Sequence, residues 1–112
     1  MNKINYIFKI NDEEQTNELL NCTHTNNKIS YIFNNEKIVF DKESDTLTKS
    51  NDDGKIIINI SKSVIEIEVP KLGTLNMPIE LKSYKKEDNN IELEYIIEDE
   101  HPIKNTIIIK LI

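Results

Sequence analysis

Large apolar side chains recur at every second position through nearly the whole chain. Ile4, Tyr6, Phe8 and Ile10 form one such series, and Ile29, Tyr31 and Phe33 a second. Ile91, Leu93, Tyr95 and Ile97 form a third, with Glu92, Glu94 and Glu98 between and after them. Successive side chains of an extended strand point to opposite faces, so each series makes one oily face and one polar face. Helical spacing is hard to find. The apolar area is concentrated in few residue types: 21 of the 112 residues are Ile, within an overall hydrophobic content of 38%. That β-branched richness excludes disorder, two Gly exclude collagen, and one Cys excludes a disulfide scaffold. A length of 112 residues suits one domain, 1–112, with no internal repeat or linker.

The turns between series can be tested by parity, because directly opposed residues of an antiparallel hairpin share a face. A two-residue Asn34-Asn35 turn opposes Phe33 to Glu36, Tyr31 to Ile38 and Ile29 to Phe40, and Asn at both positions suits a type I′ turn. An Asp53-Gly54 turn would oppose Leu47 to Ile60, and it turns Lys49 toward Ile58. A Lys62-Ser63 turn would oppose Ile60 to Ile65, Ile58 to Ile67 and Ile56 to Val69. Pro70 ends a strand, and Pro78 within the series Leu75, Met77, Ile79, Leu81 implies a bulge or a free edge. Residues 11–18 fit a loop, a short helix or an exposed edge. Leu20, Cys22 and His24 would share a face if Leu19 to Thr25 is a strand. The final series, Ile103, Ile107, Ile109 and Leu111, needs an odd-length connection through Glu100, His101 and Pro102.

Eight to ten short strands joined by tight turns make a meander, and a sheet this long in so small a chain must curl or split. Closure hides the edges, so the expected fold is all-β, an antiparallel up-and-down β-barrel; a two-sheet β-sandwich is the alternative.

Charge and composition narrow the partners. All 14 basic residues are Lys, and 20 acidic residues give a net charge of −6. Without guanidinium groups and with a net negative charge, nucleic-acid binding is not expected. The opening MNKINYIFKI is broken by Asn5 and Lys9 and does not read as a signal peptide, and no segment has the length of a membrane helix. With one Cys, a cytoplasmic setting is expected.

The C-terminal half resembles a known family. Lys71-Leu72-Gly73-Thr74-Leu75, Ile91-Glu92-Leu93-Glu94-Tyr95 and Asn105-Thr106-Ile107-Ile108-Ile109 are similar to the ending of the YwiB-like proteins, small uncharacterised bacterial proteins. The resemblance covers residues 71–110 and implies a calycin-type β-barrel, lipocalin-like in outline. It implies no activity, cofactor or catalytic residue. This chain departs from the family pattern in lacking a Gly at Asn89-Asn90.

Residues that could carry chemistry each have a plainer role. Cys22 and His24 could pair as thiolate and imidazole, with His101 as a further metal ligand, but a buried thiol beside an ordinary His fits the same pattern. Glu66, Glu68, Glu92, Glu94 and Glu98 alternate with apolar residues as a solvent face does. Asp12-Glu13-Glu14 and Asn51-Asp52-Asp53-Gly54 lack the ligand spacing of a Ca²⁺ loop. No catalytic residue, cofactor or metal site is therefore expected.

Two groups remain. Asn105 falls on the inward face, where a structural hydrogen bond near the barrel mouth is the favoured role; the rival is that it, with Tyr31, Tyr84 and Tyr95, faces a ligand. Ile57, Val64, Ile96, Ile108 and Ile112 fall on outward faces and would form a partner surface if they adjoin. The inward residues are nearly all large, which favours a filled interior. The expected function is a non-enzymatic binding or interaction module, with an unknown protein partner or a second copy of the chain engaging its outer face or loop rim. A carrier of a small apolar ligand is the alternative, and a small enzyme the third reading.

Overall fold

The computed structural model describes residues 2–98 and 100–112. No helix occurs among them, and ten strands account for most of the chain: β1 (Asn2–Ile10), β2 (Glu13–His24), β3 (Lys28–Phe33), β4 (Glu36–Asp41), β5 (Thr46–Asn51), β6 (Gly54–Asn59), β7 (Val64–Val69), β8 (Gly73–Lys86), β9 (Asn90–Ile97) and β10 (Ile103–Leu111). Every ladder is antiparallel, neighbours in sequence are neighbours in the sheet, and the order β1-β10-β9-β8-β7-β6-β5-β4-β3-β2 closes on itself as a barrel. The fold is the expected all-β antiparallel barrel.

Contacts gather into two compact units, Cys22–Pro78 and Met1–Asn21 with Ile79–Ile112. Two long strands, β2 and β8, run through both. Strand β8 pairs with β7 from Gly73 to Pro78, and with β9 from Ile79 to Lys86. Pro78 is the last rung on β7, opposite Val64, at the point where β8 changes partners. Proline has no N–H to offer a ladder, so it suits a strand position where pairing stops.

Within Cys22–Pro78 the register stacks inward side chains into rows. One row runs His24, Ile29, Phe40, Leu47, Ile58, Ile65, Met77. Its members from Ile29 to Ile65 are buried, and burying each such side chain contributes about 1.5–3 kcal/mol. The next row runs Cys22, Tyr31, Ile38, Lys49, Ile56, Ile67, Leu75, and it opens progressively to solvent toward Leu75.

The Asn34-Asn35 hairpin has the expected register, with φ of 50° and 62° at the two turn residues, as type I′ requires. Two other hairpins differ from the expected register by two residues. Leu47 faces Ile58, not Ile60, because the turn is Asp52-Asp53, closed by the Asp53 N–H donating to Asn51 Oδ1 at 2.8 Å. Ile58 faces Ile65, not Ile67, because residues 60–63 form the connection, where the Lys62 N–H donates to Asn59 Oδ1 at 3.2 Å. A slip of two leaves every side chain on its face, so the buried set is unchanged.

In the other unit, β1 and β10 pair from Ile4↔Leu111 to Ile10↔Asn105, and β10 pairs with β9. Ile4, Tyr6, Ile91, Leu93, Ile107 and Ile109 are buried on the shared face. Residues 11–18, open between three readings in the sequence, are a turn followed by strand. Asn11 and Asp12 take φ of 49° and 68°, and β2 begins at Glu13. This turn is fastened to β10: the Asn11 N–H donates to the Lys104 carbonyl at 2.9 Å, and the Lys104 N–H to Asn11 Oδ1 at 3.0 Å. The Lys104 ammonium lies 2.7 Å from Asp12 and 2.9 Å from Glu94, hydrogen bonds that hold its pKa above the ordinary lysine range.

Candidate functional site

Because the strands of Cys22–Pro78 alternate in direction, the β3–β4, β5–β6 and β7–β8 turns lie at the same end of its sheet. At that end a shallow cleft of about 510 Å³ separates the β5–β6 and β7–β8 turns, lined by Asn51, Gly54, Lys55, Glu68, Val69 and Lys71 among others. Gly54 lies in this lining. Its φ is 151°, and a Cβ there would lie 2.6 Å from the Glu68 carbonyl oxygen, so only glycine lets β6 approach β7 this closely. The β7–β8 connection is a tight turn, Leu72 N–H to Val69 carbonyl 3.1 Å, with Lys71 at φ 70°.

The β7–β8 rim exposes apolar side chains: Val69 at 40%, Leu72 at 84% and Leu75 at 59%. Val69 and Leu75 belong to the inward face by register, Val69 opposite Gly73 and Leu75 opposite Ile67, so inward-face apolar residues are carried out to solvent here. In the row that ends at Leu75, Lys49 stands between Ile38 and Ile56. Burial lowers its pKa, partly offset by the charge of Glu36.

The edge of β8 is the second feature of this rim. From Gly73 to Asn76 every residue is exposed, and β7 is the strand that pairs with Gly73–Pro78, on one side. No rung to a third strand forms along this stretch among the described residues. Closure of the strand order therefore does not hide every edge, as the sequence had led us to expect, because β8 spends half its length on each neighbour.

The sequence-predicted ligand-facing residues divide between the units. Asn105 and Tyr95 are directly opposed on β10 and β9, both buried. Tyr84, half-buried, pairs with Leu93 two residues along. Tyr31 belongs to the other unit, buried opposite Cys22 and Ile38. Asn105 Nδ2 donates to the Ile103 carbonyl at 3.3 Å, a structural use of the amide. Tyr95 is pushed up to about 12, first by burial and second by the neighbouring Tyr6. An acid held un-ionised in the folded state stabilises the fold below its unfolded pKa of about 10, and that contribution is lost as pH rises through the folded value. In an absorbance titration, Tyr95 is expected to stay un-ionised after ordinary tyrosines have titrated. Tyr95→Phe should retain more of its neutral-pH stability than wild type between pH ~10 and ~12; identical alkaline curves for the two proteins would contradict this.

The predicted partner surface is not continuous. Ile57 and Val64 lie in Cys22–Pro78, half-buried beside Thr48 and Asn59. In the other unit, Ile96 faces Lys104 and Ile108 faces Glu92, with the Glu94–Thr106 rung between them, a separation of about 13 Å along the strand. Ile108 also needs correction as a surface residue: it is 9% exposed, and Ile7, directly opposite it on β1, is 8% exposed. Ile112 is exposed at the end of β10.

Cys22 and His24 do share the inward face of β2, opposite Tyr31 and Ile29. Burial raises the Cys22 thiol, which disfavours a thiolate. His101 is exposed. No cluster of three or more metal-ligating side chains occurs among the described residues. The β8 edge is the feature that sequence reading missed as a site, although Pro78 signalled it.

The fold and this rim define a small antiparallel barrel protein with an open strand edge beside an apolar turn. No protein-family model matches the chain, and no curated protein matches it. Among solved structures it is similar to the YwiB protein of Bacillus subtilis, with a TM-score of 0.39 and 11% identity, covering 97% of this chain and 88% of that one. The resemblance read from residues 71–110 finds no family match, and a structural likeness at this level says nothing of use. No helix among the described residues is long and apolar enough to cross a membrane.

Proposed function

We propose that the chain is a non-enzymatic binding module that docks an extended segment of a protein partner along the β7–β8 rim. The observation that carries this reading is the fully exposed stretch Gly73–Asn76, paired on one side, beside exposed Val69, Leu72 and Leu75. An unpaired strand edge offers a row of N–H and C=O groups, and an incoming strand satisfies them while its alternate side chains meet the apolar residues alongside. The cleft between the β5–β6 and β7–β8 turns extends that surface with Lys55, Glu68 and Lys71, charges that could select among partners by electrostatic fit. A cytoplasmic setting is supported by the single Cys.

Random peptides displayed on phage and selected on the immobilised chain test the reading. Enriched peptides should be extended and apolar, and should lose binding to a Leu72→Lys/Leu75→Lys double variant. Both positions are solvent-exposed, so the variant is expected to fold normally. Equal capture by wild type and variant would refute docking at this rim.

A further inference from the structure

Strand β8 has two halves, each paired on one side, and they are protected very differently. The half on β9, Ile79–Lys86, carries Glu80, Lys82, Lys85 and Lys86, and its register shifts between Leu81 and Ser83. Charged side chains, lysine above all, and bulges are the devices that keep strand edges from pairing with other chains. The half on β7, Gly73-Thr74-Leu75-Asn76-Met77, carries no charge and no register shift. Its exposed Leu75 sits at the centre of the five residues. The tight turn at Pro70–Leu72 bounds it on one side and Pro78 on the other.

We propose that this segment pairs with the same segment of a second copy of the chain, antiparallel about a two-fold axis through Leu75. The inference rests on the rim being a docking surface, and it names the occupant. In this register Gly73 faces Met77, Thr74 faces Asn76, and Leu75 faces itself. The window is as long as the turn and the proline allow, and it is self-complementary because it is neutral. A charge at the central position would stand opposite its own copy, and like charges opposed across strands repel. The two Leu75 side chains would cover each other, and Leu72 of each chain would lie beside Pro78 of the other. Each chain carries a net charge of −6, so the copies repel at long range, and added salt should tighten the pairing by screening that repulsion.

A five-residue ladder is a small interface, so the dimer is expected to be weak, with a Kd on the order of 100 µM. Sedimentation equilibrium on the full chain from ~10 to ~500 µM, at low and at high salt, reads it directly. We expect a monomer–dimer equilibrium that strengthens with salt. Amide hydrogen exchange should slow within residues 73–77 as concentration rises. Leu75→Lys should weaken the dimer at least ~10-fold with an unchanged thermal unfolding midpoint. A monomer throughout the range, a dimer indifferent to Leu75→Lys, or protection confined to other residues would overturn the proposal. Peptide selection judges the rim separately: enriched peptides without a dimer leave the docking reading standing and remove the second copy as its occupant.

Discussion

Truncating Phe40 to alanine should cost about 3–5 kcal/mol of folding stability, the largest loss expected for a single aromatic truncation in this chain. Phe40 is 1% exposed and stands between Ile29 and Leu47 in the row that runs across the Cys22–Pro78 sheet. Removing the ring forfeits its burial and leaves a cavity among residues fixed by the ladders on both sides, which can close in only partly. Against a total stability of about 5–15 kcal/mol for a domain, that loss is large. Chemical denaturation followed by tyrosine fluorescence measures it. Ile32→Ala is the control: Ile32 is on the neighbouring strand but 69% exposed, and its truncation should stay within about 0.5 kcal/mol. Similar losses for the two would mean that the row is not the core of this unit.

Gly54→Ala is expected to cost about 2–4 kcal/mol, from two sources that a companion variant separates. One is the backbone, held at φ 151°, where a Cβ is strained; the other is the collision of that Cβ with the Glu68 carbonyl oxygen at 2.6 Å. The oxygen belongs to the backbone of β7, so relief requires moving the strand. Gly73 also has a positive φ, 105°, but a Cβ there meets nothing within 4 Å. Gly73→Ala should therefore show the backbone cost alone, about 1 kcal/mol. Thermal unfolding should drop by roughly 10 °C or more for Gly54→Ala and by clearly less for Gly73→Ala. Equal drops would show that the close approach of β6 to β7 carries no energetic weight.

Much of this architecture was legible because period-two patterning assigns faces directly. Ile4 and Tyr6, Ile29 and Tyr31, Ile91, Leu93 and Tyr95, and Ile107 and Ile109 are buried as the alternation required. Register was legible only where the turn chemistry was decisive. Asn34-Asn35 tolerates two consecutive positive φ angles, which leaves one pairing. At Asn51–Gly54 and Asn59–Ser63 the outcome depended on asparagine side chains accepting backbone N–H groups, Asn51 from Asp53 and Asn59 from Lys62. Those bonds moved the pairing by two residues, a slip to which an alternating pattern is blind. Coverage was less legible than face. Parity put Ile108 outward, but it does not reveal that the side chain is buried there. The β8 edge lay beyond local pattern altogether, because the residues that end its pairing with β7 and begin its pairing with β9 are set by strands far apart in sequence. Pro78 was the one local sign.

The pairing of β1 with β10 bears on how the chain can be made. Ladders β3 to β7 join consecutive hairpins, so they can zip up as each segment emerges from the ribosome, the local-contact route that favours fast folding. Ile4, however, meets Leu111. β1 lies between β2 and β10 in the closed order, so at translation rates of about 5–20 residues per second its β2 side can pair early while its β10 side waits roughly 5–20 s. During that interval the apolar face carrying Ile4, Tyr6, Phe8 and Ile10 lacks the cover that β10 supplies. Any C-terminal truncation that removes β10 would make that wait permanent.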